Sequence, residues 1–288
     1  MKSIILLALS IFGMFYSLPV FSQNEEFKSL TSQGNECISN KDYSKAVELF
    51  EKAFYTGTDD DNDLMWYSAI AGICAQRIDE PLKALSFFQI AIDLNSQDQD
   101  VYNQFFSVAE QLKDKEKQEY VLLKAFENGI NNKVYLNKLV FFYYQTGQYD
   151  KAIKAVDEFL KITPPKTDIL TIKAIALEMT NQPDSAAVVY EKVLTLDPDN
   201  RIAVSNLGMI FHQKGNAIYD SARADYMKLK NPTKEQYALM TKKFDEASIF
   251  YRKAIPLLEK NPAEPHIKDA LNKSYTRIRN AEKANILN

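Results

Sequence analysis

The chain has 288 residues, with 35 Lys and Arg against 38 Asp and Glu, and a net charge of −3. Hydrophobic residues make up 46% of it, whereas Gly (8) and Pro (10) together reach only about half of their usual share. So few helix breakers favour nearly continuous helix, and the absence of excess positive charge argues against nucleic acid as a partner.

The first 22 residues, MKSIILLALSIFGMFYSLPVFS, have the composition of a secretory signal peptide. An early positive charge at Lys2 precedes an apolar stretch from Ile4 to Tyr16, which a proline then interrupts. This pattern predicts export, with cleavage before Gln23. An uncleaved membrane anchor is the alternative, because residues 4–21 could nearly span a bilayer.

From residue 27 onward the chain repeats a pattern of two amphipathic helices joined by a tight turn. Two adjacent segments of 34 residues superimpose with Ala152 over Ala186 and Pro164 over Pro198. Such hairpins bury their apolar faces only by stacking on one another. The register predicts six units, at about 27–60, 65–98, 99–132, 133–166, 167–200 and 201–260.

This arrangement resembles the tetratricopeptide repeat (TPR) family, whose signature is a 34-residue helix-turn-helix with small residues at fixed places. The stretches GQYDKAIKAVDEFLKITP and GNECISNKDYSKAVELFEKAF carry the resemblance, whereas Gln118 stands where the third unit should have a small residue. The resemblance implies an all-α, right-handed solenoid of antiparallel helix pairs that occupies residues 23–288 as a single domain. It also implies a concave groove lined by the first helix of each unit.

The sixth unit is longer than the others because about 27 residues, 216–243, are inserted at its turn. Apolar residues at coiled-coil-like spacing predict an elongated helical hairpin, with Asn231 as the cap of its second helix. This arm could dock a partner or another copy, or it could be a simple lengthening. A final capping helix is predicted at about 264–287. Its apolar face comprises Ile267, Leu271, Tyr275 and Ile278.

No motif for catalysis, metal binding or cofactor binding stands out. His212 and His266 form no ligand pair at helical spacing, and there is neither a phosphate-binding glycine loop nor a nucleophile elbow. The acidic run from Asp59 to Asp63 lacks the pattern of a calcium loop. Cys37 and Cys74 are compatible either with a disulfide or with two core-filling thiols. We therefore expect no cofactor, no metal and no enzymatic activity.

Taking the first helices in register selects the residues that the resemblance places in the groove. Their amides could pair with the backbone of an extended peptide, and their aromatic and methionine side chains could receive apolar groups. The candidate partner-binding residues are Asn35, Gln76, Arg77, Asn103, Ser107, Asn137, Phe141, Tyr144, Gln145, Met209 and His212. Recognition of a C-terminal carboxylate is not expected, because Thr31 stands where that type of groove needs a lysine.

Together these features predict an exported, non-catalytic scaffold that binds a protein or peptide partner in a bacterial envelope complex. It would act in the periplasm or at the outer surface, without an integral membrane span after signal removal. Self-association through the long hairpin is a further expectation. Two alternatives stay open: a nutrient- or glycan-capturing accessory protein at the outer membrane, and an enzyme with its site in the groove around Glu178 and His212.

Overall fold

A computed structural model of the chain describes residues 20–286, with side chains for residues 24–285. Most of the predicted signal segment, residues 1–19, lies outside this described part. Within residues 20–286 the secondary structure consists of 13 α-helices. They are α1 Val20–Ser39, α2 Tyr43–Thr56, α3 Asp61–Arg77, α4 Pro81–Asp93, α5 Gln99–Gln111, α6 Lys115–Glu127, α7 Asn132–Gln145, α8 Tyr149–Ile162, α9 Thr167–Met179, α10 Pro183–Leu196, α11 Arg201–Met227, α12 Lys234–Leu258 and α13 Pro265–Ile286.

Each of the first five helix pairs turns through one residue in the left-handed region of backbone conformation. These residues are Lys41 (φ 63°), Asp79 (58°), Lys113 (56°), Gly147 (72°) and Asn181 (58°). Positive φ is uncommon for residues other than glycine. Here a residue with positive φ recurs every 34 residues from Asp79 to Asn181. The tight turn is therefore a property of the repeat and does not depend on one residue type.

Small residues let the second helix of a pair approach the first. Those at the predicted positions are fully buried: Ala46, Ala84, Ala152 and Ala186. In the third pair the position is taken by Gln118, whose amide nitrogen donates a hydrogen bond of 3.1 Å to the backbone carbonyl of Ala109 on α5. Because that amide is satisfied, the larger polar residue is buried at this position without an unpaired donor.

The chain divides into two compact units, one ending at Tyr135 and the other beginning at Leu136. In unit 1, each helix from α1 to α6 contacts the next along the chain, around buried rings such as Phe50, Phe88 and Phe105. In unit 2, helices α9 to α13 share one core cluster. The prediction that residues 23–288 form a single solenoid domain stays a prediction.

The elongated hairpin of the sixth unit is confirmed, since α11 has 27 residues and α12 has 25. Gly215 lies 34 residues after Asn181, where the turn of an ordinary unit would fall, yet it is inside α11. A Cβ atom at Gly215 would lie 2.7 Å from Cε1 of Tyr251 on α12. Gly215 therefore permits close helix packing at a position where the other units turn.

Asn231 was wrongly predicted as the cap of α12. The N-cap is Thr233, whose hydroxyl oxygen accepts a hydrogen bond from the backbone N–H of Gln236. The side chain of Gln236 in turn accepts one of 2.9 Å from the backbone N–H of Thr233. This reciprocal capping box satisfies two helix-terminal donors, which outweighs the Asn-Pro signal.

The C-terminal helix α13 is present as predicted, but its buried face differs by one residue. Ser274 is fully buried, whereas Tyr275 is 43% exposed. Ser274 follows Leu271 by three residues and precedes Ile278 by four, so it lies on the stripe that faces α11 and α12. Hydrophobicity predicts that Tyr275 is the buried residue. Ser274 is buried instead, and its hydroxyl lies 2.8 Å from Nδ1 of His212 on α11.

Both cysteines are free thiols. Cys74 is buried, and burial raises the pKa of its thiol to about 11. Of the two possibilities, a disulfide or core-filling thiols, the second therefore describes Cys74.

Candidate functional site

The first helices of unit 1 present a partly apolar face, with α3 at its centre. Trp66 is 62% exposed and Ile73 is 43% exposed. Ile70 between them is half-buried, and the spacing of four and three residues places all three on one stripe of the helix. Exposed large apolar side chains in a row indicate a contact surface more strongly than isolated ones do.

Polar candidates extend this stripe towards the C-terminal end of α3. Gln76 is half-buried and Arg77 is exposed. The guanidinium carbon of Arg77 lies 5.0 Å from the ring centroid of Tyr43 on α2. A cation–π contact of this kind holds the arginine beside the stripe.

The remaining candidates of unit 1 lie on α1 and α5. Asn35 and Ser107 are exposed. Asn103 is half-buried, and its side-chain oxygen accepts a hydrogen bond of 3.2 Å from the hydroxyl of Tyr135. Asn103 is therefore held in a fixed orientation by a buried tyrosine.

In unit 2, helix α7 carries four of the predicted residues. Asn137, Phe141 and Tyr144 are half-buried, and Gln145 is exposed. The ring of Tyr144 packs edge-on against that of Tyr149, with centroids 6.4 Å apart. The aromatic part of the predicted surface is thus present on α7 and only partly open to solvent.

Met209 and Met179 differ in their exposure. Met209, a candidate residue on α11, is half-buried and packs against the core cluster of unit 2. Met179, at the end of α9, is 60% exposed. Of the two, Met179 is the better placed to contact a partner.

His212 requires a correction, because its side chain is buried and only 5% exposed. Its Nδ1 lies 2.8 Å from the hydroxyl of Ser274, and its Nε2 lies 2.9 Å from the amide nitrogen of Asn216. Burial lowers the pKa of His212 to about 4, with the positive charges of Arg277 and Lys273 acting in the same direction. The imidazole is therefore neutral near pH 7 and joins α11 to α13, so it does not face a partner.

Glu178 also has a partner within the fold. Its carboxylate accepts a hydrogen bond of 2.5 Å from the hydroxyl of Tyr190, which itself accepts one of 2.7 Å from the amide of Asn206. Burial raises the pKa of Tyr190. This chain of hydrogen bonds links α9, α10 and α11.

Two features of the whole described region bear on function. None of the helices between residues 20 and 286 combines the length and apolarity that crossing a membrane requires. In the same part of the chain, no three His, Cys, Asp or Glu side chains are grouped so that they could hold a metal ion.

The strongest signal missed by the sequence analysis is Trp66. It precedes Ile73 by seven residues, so the stripe could have been found from spacing alone. Superposition on the neighbouring units instead selects Gln76 and Arg77 on this helix.

Comparison with known proteins supports the repeat architecture. Residues 134–166 match the tetratricopeptide repeat model. No match was found among curated proteins. A solved structure from Bacteroides ovatus, whose proposed role is protein binding, shares 20% identity over 77% of this chain and 100% of its own, with a TM-score of 0.53.

Two further solved structures are similar to parts of the chain. A tetratricopeptide repeat protein from Parabacteroides merdae is 16% identical over 87% of this chain and 99% of its own, with a TM-score of 0.38. A MamA protein is 20% identical over 59% of this chain and 91% of its own, also with a TM-score of 0.38.

The matched segment coincides with α7 and α8, one of the helix pairs described above. The likeness to the Bacteroides ovatus protein supports the fold alone. Residues 134–166 therefore form a tetratricopeptide repeat, and the recurring left-handed turn and the buried small residues extend the same helix-pair pattern to the other units.

Proposed function

We propose that this protein is an exported, non-catalytic scaffold that binds a protein or peptide partner through the first helices of its repeats. The observation that carries the proposal is the stripe on α3, where Trp66 and Ile73 are exposed beside Gln76 and Arg77. Large apolar side chains with a few convergent polar groups are typical of binding surfaces.

An extended peptide suits this surface chemically. Tryptophan and isoleucine can receive apolar side chains, and each adds binding energy by removing apolar area from water. The amides of Asn35 and Gln76 can each donate to and accept from a peptide backbone. Arg77 would attract a carboxylate on the partner.

Another candidate binding surface is proposed for unit 2 by itself. It comprises Asn137, Phe141, Tyr144 and Gln145 on α7 together with Met179 on α9. Phe141 and Tyr144 are half-buried, so they offer ring edges with little loss of conformational entropy on binding. His212 is left out because it is buried.

The absence of catalysis is part of the proposal. Glu178 and His212, the two residues considered for an enzymatic site, are each engaged in hydrogen bonds between helices. A residue whose hydrogen bonds hold helices together serves structure, which favours the scaffold over the enzyme.

Export is proposed from the N-terminal segment, with the mature chain acting in the periplasm or at the outer surface of a bacterial cell, within an envelope complex. Intact-mass measurement of the protein recovered from its own cells tests this step. A mature chain beginning at Gln23 in the envelope fraction supports export. A full-length chain recovered only from the cytoplasm contradicts it.

The binding proposal is tested by capture from envelope extracts with tagged protein spanning residues 20–288. Proteins captured by the wild type are identified, and the affinity of each for purified variants is then measured. We expect the double substitution Trp66→Ala and Ile73→Ser to lower the affinity for a genuine partner by about tenfold or more, because a few anchor residues dominate the binding energy of such interfaces.

Val188→Ser supplies the matched control. Val188 is 54% exposed on α10, the second helix of its pair, and is therefore as accessible as Ile73 without belonging to the proposed surface. Equal affinity of the double variant and the control for every captured partner would contradict the proposal.

A further inference from the structure

Charge is distributed unevenly between the two ends of the chain. Residues 24–135 carry 11 Lys and Arg against 20 Asp and Glu, a net charge of −9. Residues 201–288 carry 16 against nine, a net charge of +7. The overall charge of −3 thus conceals a strongly acidic unit 1 and a strongly basic C-terminal region, and such opposite fields attract between molecules.

The hairpin tip, residues 223–243, is the most exposed part of the basic region. Helix α13 covers the hairpin as far as Tyr237, whose hydroxyl donates to the backbone carbonyl of Ala284. Elsewhere in the tip, Met227 on α11 is 71% exposed and Leu239 on α12 is 57% exposed. The tip carries six Lys and Arg against two acidic residues, so it is an apolar patch with a basic rim.

A cleft with the opposite character lies on unit 1 between the second helices α2 and α4. It has a volume of about 410 Å³ and is lined by side chains such as Phe54 and Phe87, whose ring centroids are 5.6 Å apart. At its edges Tyr55 is 93% exposed and Leu82 is 71% exposed. Both are unusually open for residues of their size.

The surroundings of this α2–α4 cleft are acidic. Lys83 pairs with Glu80 at 2.9 Å and with Glu51 at 3.2 Å, so two carboxylates share one ammonium group. Residues 43–60 and 79–93 together carry seven acidic against three basic residues. The cleft therefore combines an apolar interior with an excess of negative charge.

We propose that the hairpin tip of one molecule binds the α2–α4 cleft of a second copy of the same chain. The apolar side chains of the tip would cover Tyr55 and Leu82, and its lysines would meet the carboxylates of α2 and α4. The occupant is a second copy because the same chain supplies both complementary surfaces. The inference is independent of the first-helix surface proposed above, since the cleft lies between second helices.

This pairing joins two different surfaces, so it is heterologous. A heterologous contact builds either a closed ring or an open chain of molecules and does not stop at a symmetric dimer. Association should therefore continue beyond two copies as the concentration rises.

Sedimentation velocity of residues 20–288, which include all 13 helices, tests the proposal. We expect the mean mass to rise with protein concentration at about 0.05 M NaCl and to fall towards that of the monomer at about 0.5 M, because salt screens the charge attraction. A monomer at all concentrations and both salt levels would overturn it.

Charge reversal locates the contact. Lys230→Glu with Lys234→Glu reverses the tip, and Glu48→Lys with Glu51→Lys reverses the cleft. Each double variant alone should associate about tenfold or more weakly than the wild type, while a mixture of the two should regain association. Circular dichroism melting of each variant checks that it is folded.

Lys154→Glu with Lys192→Glu is the matched control. Both lysines are exposed on second helices of unit 2 and lie outside the hairpin tip and the α2–α4 cleft in the sequence. We expect this variant to associate as the wild type does. Failure of the mixture to regain association, or an equal loss in the control, would overturn the proposed contact.

Discussion

The ring of Phe88 occupies the space that a side chain at position 72 would need, and this position is a glycine. A Cβ atom there would lie 2.6 Å from Cδ1 of Phe88, and the same relation holds at 2.8 Å between Gly34 and Phe50. Both glycines lie inside first helices, where the residue costs stability compared with alanine. They are explained by the close approach of the facing ring.

We therefore predict that Gly72→Ala destabilises the protein although alanine is the better helix former. Overpacking costs about 1–3 kcal/mol and the gain in helix propensity returns about 1 kcal/mol, so a net loss of up to about 2 kcal/mol is expected. Urea unfolding measures it. Phe88→Leu in the same chain should reduce the loss, and a more stable Gly72→Ala variant would contradict the packing described here.

His212 makes stability depend on pH in a defined window. Its folded pKa of about 4 lies below the unfolded value of 6.5, so the unfolded chain binds a proton first as the pH falls. Stability due to this residue is therefore intact above about pH 6.5 and is lost progressively down to about pH 4.

The predicted loss is about 3 kcal/mol across that window. Thermal melts at pH 7 and at about pH 4.5 should show a smaller difference for His212→Gln than for the wild type. The control variant is His266→Gln, which replaces an exposed histidine. An unchanged difference in His212→Gln would contradict a buried neutral imidazole.

At the scale of elements, α13 is fastened to the long hairpin by a polar network. The guanidinium of Arg277 donates to Asp220 at 2.7 Å, to Asn216 at 2.8 Å and to the hydroxyl of Tyr251 at 3.0 Å. The oxygen of Asn216 is thereby occupied, and its amide nitrogen is turned towards His212. One arginine thus orders side chains on both α11 and α12.

Arg277→Ala should loosen α13 without unfolding the rest of unit 2. Hydrogen–deuterium exchange is expected to accelerate throughout α13, corresponding to a local loss of about 1–3 kcal/mol. Arg279→Ala, at an exposed position on the same helix, should leave exchange nearly unchanged. Equal protection of α13 in both variants would show that apolar packing alone holds the helix.

The helix pairs could be predicted because close packing requires small residues at fixed positions, and these positions repeat along the sequence. Ala84, Ala152 and Ala186 are buried at multiples of 34 residues, and together with the closing prolines they locate both helices of a unit. The details of the sixth unit could not be read in this way. Gly215 occupies the turn position of the register and yet lies within a helix, because α12 continues alongside it and offers Tyr251 as a neighbour.

The predicted surface residues proved harder to place than the core. The register of the neighbouring units predicts that His212 lines the groove, but α13 has no equivalent in those units and covers this residue. The same register does not select Trp66, although this residue is exposed on α3. Which face of a first helix stays open depends on what packs over it, and the repeat pattern does not encode that information.

The whole molecule would carry separate surfaces for a partner and for other copies of itself. First helices would bind a partner, while the hairpin tip and the α2–α4 cleft would join copies of the chain. Because a repeat array offers many sites at once, self-association would present several partner-binding surfaces together and raise the effective affinity for a multivalent partner.

Photo-crosslinking in intact cells shows whether the first-helix surface contacts a partner. A photoreactive amino acid is placed at Ile73 in one strain and at Val188 in another, both being exposed in the structure. The account predicts a discrete crosslinked protein from position 73 that is absent from position 188. The same products from both positions, or crosslinks from position 188 alone, would contradict it.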